Sequence, residues 1–146
     1  MQSVEIQGLD RVVKALEDMP GAIREARGAV FEEIGEELLG AVQQRIGGSG
    51  RVAGTQEYQV GSGKGYVAVR AKAKTDLDGY AAGYITNALE GGHAVRKPSA
   101  AGSRSRARVD RVSGKYMYRD THQLEAQRLA ETAAQRIEKA ALEKFN

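Results

Sequence analysis

Between Gly21 and Ile46, the apolar residues Ile23, Ala26, Val30, Ile34, Leu38, Ala41 and Val42 recur at threes and fours, with Phe31 and Leu39 widening the band. That is the spacing of a helix face turned to a core. The opposite face carries Arg24, Glu25, Glu32, Glu33, Glu36 and Gln43. Gly28, Gly35 and Gly40 interrupt the segment, and each weakens a helix by about 1 kcal/mol relative to alanine. A glycine facing the core would let a sheet or another helix approach closely, and both remain open at this point. The run GGSG at Gly47–Gly50 ends the helix. A second stripe lies at the far end of the chain: Ala126, Leu129, Ala130, Ala133, Ile137, Ala140 and Ala141. Its small residues suit close packing on a helix or a sheet.

The remaining segments are shorter. SVEIQG alternates Val4 and Ile6 with polar neighbours, the period of a half-buried strand. LDRVVKALEDM places Leu9, Val12, Val13 and Leu16 at helical spacing, and Pro20 is expected to open a new helix after it. TQEYQV and YVAVRAKAK flank the glycine-rich GSGKG, which predicts a β-hairpin with Val67, Val69 and Ala71 on one face. YAAGYITNALE reads as a short helix or an extended edge segment. Asp120, with Gln123 three residues on, is placed to cap the last helix. The layout is α+β: a small antiparallel sheet packed by the long N-terminal-half helix and the C-terminal helix. At 146 residues the chain suits one domain spanning 1–146.

Several chemistries are disfavoured. With no cysteine there is no disulfide scaffold, thiolate metal site or thiol nucleophile. No apolar run approaches the roughly 20 residues that span a bilayer, and MQSVEIQGLD lacks the features of a signal peptide. A soluble chain made in the cytosol, with no membrane partner, is expected. GSGKG is not a phosphate loop: Tyr58 stands where the pattern needs its first glycine, and Gly65 where it needs Ser or Thr. Glu90 and His93 are spaced like two metal ligands, but a site needs three or four. The two histidines, His93 and His122, have no nucleophile motif beside them. No enzyme activity, cofactor or metal is expected.

Charge is distributed unevenly. The basic segment 91–119 holds Arg96, Lys97, Arg104, Arg106, Arg108, Arg111, Lys115 and Arg119 against Asp110 alone, a net charge of +7. The rest carries 14 basic and 18 acidic residues, net −4. Such an irregular arm has three readings: a sequence-independent nucleic-acid contact, a contact with an acidic surface such as another copy of this chain, or a solvated loop. Tyr84, Tyr116 and Tyr118 stand at its flanks as anchors for its two ends.

The order of elements resembles the tail-completion (head–tail joining, minor tail component) family of long-tailed bacteriophages and their prophages. The likeness is carried by VEIQGLDRVVKALEDM, by the long helix Ala22–Arg45, by YITNALEGGHAVRKP, and by YMYRDTHQLEAQRLAETAAQRIEKAALEKF. One departure is the link GGSGRVAGT, where the family usually has a Pro- and Thr-Gly-containing segment. The resemblance implies a non-enzymatic virion protein of the neck or tail, a tail-terminator-type subunit made in the host bacterial cytoplasm. It implies a homo-oligomeric ring, commonly hexameric, between a head connector or head-closure protein and the tail tube protein, with DNA passing through the lumen. A small basic DNA-binding module using the Arg-rich segment is the alternative.

Overall fold

The computed structural model of the protein describes residues 9–96 and 109–146. The strand expected at SVEIQG lies outside them, as do Lys97, Arg104, Arg106 and Arg108. The first described element is α1, Leu9–Ile46, a single helix of 38 residues, about 57 Å long at 1.5 Å per residue. It runs straight through Pro20, where a new helix was expected. A proline inside a helix forfeits one backbone bond and crowds the carbonyl four residues back. Here Pro20 is exposed, and the helix continues on both sides of it. Gly47, with φ +61°, ends the helix, and its N–H still reaches the Gln43 carbonyl at 3.1 Å.

A 3₁₀ turn at Ala53–Thr55 leads into β1, Gln56–Val60. Antiparallel β2, Val67–Ala71, pairs with it, Gln56 opposite Ala71 and Val60 opposite Val67. This is the hairpin read from the sequence, with Val67, Val69 and Ala71 on the half-buried face. A small ribbon follows, β3 Asp76–Leu77 with β4 Tyr80–Ala81, and then α2, Ala82–Gly91. The ambiguous YAAGYITNALE is therefore two strand residues followed by a helix. The third ribbon pairs β5, His93–Arg96, with β6, Val109–Val112. The C-terminal helix α3, Met117–Leu142, closes the chain with a last 3₁₀ turn. The protein is α+β, but among the described residues its strands form three separate two-stranded ribbons rather than one small sheet.

Antiparallel packing of α1 and α3 makes the core. Val30 and Ile34 of α1 bury against Leu129 and Ala133 of α3, with Phe31, Leu38, Val67 and Ile137 around them. Nearer the opposite end, Val42 and Ile46 enclose Met117, with Val69, Leu89 and Tyr118 packed on that cluster. Ion pairs run along the rim of the helix pair: Arg45 to Glu125, Arg128 to Glu37, and Arg136 to Glu33. The two exposed pairs, Arg128–Glu37 and Arg136–Glu33, contribute little, because solvent screens them. Burial of the aliphatic stripe does most of the work, at roughly 1.5–3 kcal/mol per fully buried side chain.

The helix glycines resolve what approaches α1. A Cβ at Gly35 would lie 2.8 Å from Cε2 of the Tyr58 ring, and one at Gly28 would lie 2.7 Å from Cδ of Lys64. The β1–β2 hairpin thus lies along α1 on two glycines, tip at Gly28. Arg27 donates to the Gly63 carbonyl at 3.0 Å and pins that tip. Among the described residues nothing covers the stripe at the start of α1: Val12, Val13 and Leu16 are 46%, 45% and 54% exposed.

Candidate interface at the root of the basic arm

The basic segment lies between α2 and α3 in the chain, and residues at those two helix ends fix its described flanks. The first N–H groups of any helix lack partners within it. At α3 they are met from outside: Glu90, in the last turn of α2, accepts from the Tyr118 N–H at 2.9 Å through one carboxylate oxygen and from the Arg119 N–H at 3.1 Å through the other. A carboxylate there also complements the positive end of the helix dipole. The expected cap, Asp120 with Gln123, is not used. The helix begins three residues earlier, Asp120 lies inside its first turn, and Tyr116 precedes it in the left-handed region at φ +48° with no side-chain cap. Asp120 pairs with Arg119 instead, at 3.0 Å.

Beneath this cap the two arms of the chain cross on glycine. A Cβ at Gly92, whose φ is +79°, would fall 2.7 Å from the Gly114 nitrogen, and one at Gly114 would fall 2.8 Å from the Gly91 carbonyl carbon. The strands can meet this closely only because neither position carries a side chain. Lys115 and Tyr116 then donate backbone N–H groups to the Leu89 and Glu90 carbonyls, at 2.7 and 3.2 Å. The Lys115 ammonium reaches the Ile46 carbonyl at 2.6 Å, a cation on the last turn of α1. Of the basic residues singled out in the sequence, Lys115 therefore acts within the chain. Arg111, opposite Ala94 in the ribbon, is exposed. The backbone of Arg96 pairs with Val109.

The three tyrosines differ in role. Tyr118 is half-buried, and its hydroxyl donates to Oε1 of Gln56. The Gln56 amide in turn donates to the hydroxyls of Thr86, at 3.0 Å, and Thr55, at 3.3 Å. This buried polar chain ties α3, β1 and α2 together beside the root. Burial, and secondarily the negative charge of Glu90, push the Tyr118 phenol up to about 12. Tyr116 is partly exposed and lies under the Arg119 guanidinium, 3.8 Å from its ring centroid, a cation–π contact. Tyr84 faces solvent at 67% exposure and stacks on Tyr80 with ring centroids 6.0 Å apart.

Sequence reasoning missed Glu90, which it weighed as a metal ligand, and it missed Gln56, Gly92 and Gly114. The adjacent glycines in LEGGH and the SGK before Tyr116 were the available signal, since paired glycines mark close backbone approach. Among the described residues, no three His, Asp or Glu side chains gather as a metal site would require.

What emerges is a socket of hydrogen bonds and crossed glycines at the root of the β5–β6 ribbon, which packs mainly on itself. No family model, curated protein or solved structure matches this chain.

Proposed function

We propose that this chain is a structural subunit of a bacteriophage neck or tail, a ring-forming tail-completion protein that joins the head connector to the tail tube without chemistry of its own. The observation supporting it most directly is the socketed ribbon at 93–96 and 109–112, whose root is tied to α3 and α1 through Glu90 and Lys115. The arm's charge, with the net −4 of the remaining chain, favours a neighbouring copy as its resting place. A ring needs a different patch on each side of one subunit, and an arm reaching from one copy to the next supplies such a pair.

Mass measurement of the purified protein, with electron microscopy of particles made with and without it, tests this reading. A closed oligomer of fixed mass, and tails that fail to join heads in its absence, are the expected results. A monomer at every concentration that never copurifies with tails would sink it. The +7 segment supports a second reading, a sequence-independent DNA contact. Replacing Arg104, Arg106 and Arg108 by alanine should then abolish DNA retention and flatten its salt dependence. Absence of DNA binding by the unaltered protein at low salt removes that reading.

A further inference from the structure

The β1–β2 hairpin has an outer edge with no partner among the described residues. The bonds from Gly61 N–H to Tyr66 C=O and from Lys72 N–H to Thr55 C=O bracket its ladder. In an antiparallel pair, successive residues of one strand bond alternately to opposite sides. Ala68 and Arg70 therefore bond to β1, while Val67 and Val69 turn their N–H and C=O groups the other way. On that side lies an apolar groove of about 430 Å³, walled by β2 and α3 and floored by α1, with Phe31, Leu38, Val67, Val69, Leu129 and Ala130 among its lining. An open edge beside an apolar trough is the geometry that receives an added strand.

The strand that fits needs two apolar residues at alternate positions and polar ones between. Residues 3–7 read Ser-Val-Glu-Ile-Gln. Across a sheet, directly opposite residues share a face. Val4 and Ile6 would thus enter the groove level with Val67 and Val69, and Glu5 would lie on the exposed face that carries Arg70. The segment 97–108, KPSAAGSRSRAR, has no branched apolar residue to offer.

Reach decides whose strand it is. The groove floor begins at Phe31, 22 residues along α1 from Leu9, or roughly 33 Å at 1.5 Å per residue. Ile6 is three residues from Leu9, a tether of about 10 Å at full extension. A chain cannot fill its own groove. We infer that residues Ser3–Gln7 of a second copy add to the β2 edge, with Val4 and Ile6 seated in the groove. The exposed Val12, Val13 and Leu16 that follow in the donor extend the same apolar projection onto the acceptor. Donor and acceptor patches lie far apart on one chain, so the contact is head-to-tail and propagates around a ring or along a filament. It shares with the ring reading only the premise that copies associate.

Two variants of the full chain test it. Val4→Asp with Ile6→Asp disables the donor and leaves the groove intact. Ala130→Glu puts a charge at the groove from an exposed position on α3 and leaves the donor intact. At 1 M salt, where an ionic contact by the basic segment is screened, each alone should sediment as a single chain of 15.7 kDa, and a mixture of the two should give a 1:1 heterodimer that grows no further. An unaltered parental mass for the Val4→Asp/Ile6→Asp protein overturns the inference while leaving a ring standing, and so does a mixture that stays monomeric. If the parent forms open polymers of no fixed mass that the donor variant abolishes, strand donation holds and the closed ring falls.

Discussion

Gln56 has three hydrogen-bonding partners and 2% exposure. Replacing it by leucine keeps the volume and removes the amide, leaving the Tyr118 and Thr86 hydroxyls buried without their partner. Each orphaned group costs about 1–3 kcal/mol, so Gln56→Leu should lower unfolding free energy by at least that much in urea titration. A loss under about 0.5 kcal/mol, the usual range for surface changes, would show that the network contributes little. Tyr118 makes a second prediction, with a sign fixed by linkage. Its phenol titrates at about 12 in the folded chain against an ordinary 10.0. Between those values the unfolded chain releases the proton and the folded chain keeps it, so folding loses stability as pH rises. The contribution is whole below pH 10 and erodes on the way to 12. Tyr118→Phe should be less stable at neutral pH yet show a shallower alkaline decline over that window, measured by chemical unfolding at each pH. Equal slopes for the two proteins would mean that the phenol is not held neutral by the fold.

At the scale of elements, α1 and the hairpin are a matched pair. Gly35→Ala would raise helix propensity by about 1 kcal/mol, but its Cβ would press on the Tyr58 ring. That ring is held by its hydroxyl on Glu32 at 3.0 Å. Overpacking of this kind costs typically 1–3 kcal/mol, so the variant should melt lower despite the better helix former. Gly40→Ala, which meets nothing within 4 Å, should melt higher, and a rise in both would sever the link between Gly35 and the hairpin. The long stripe, the hairpin and its facing were legible in the sequence because each is a local period. The rest depended on partners distant in the chain. Pro20 obeys a local rule that an exposed site on a long helix can break. Asp120 with Gln123 is a sound capping pattern, but Glu90 arrives from α2 and the helix starts at Met117. The crossing of Gly92 over Gly114 joins residues 22 apart, and the only trace of it was two short glycine motifs.

For the whole molecule, body and arm are separable. Replacing residues 97–108 by an Asn-Gly turn would join Arg96 to Val109 in a tight hairpin. The ribbon packs mainly on itself, and the root is held by Glu90, Lys115 and the glycine crossing, so unfolding free energy should stay within about 0.5 kcal/mol of the parent. The deletion removes Lys97, Arg104, Arg106 and Arg108 and no acid, taking the formal net charge from +3 to −1. Two kinds of contact then come apart by their salt response. An arm laid on an acidic neighbour is an ionic contact, and at 1 M salt the screening length shrinks to about 3 Å. A strand donated to β2 is held by backbone hydrogen bonds and buried valine and isoleucine, which salt does not weaken. The shortened protein should therefore associate more weakly than the parent at low salt and equally at high salt, read by sedimentation across a salt series. If shortening the arm leaves association unchanged at every ionic strength, and DNA retention with it, the basic segment is not the contact and the strand alone joins the copies.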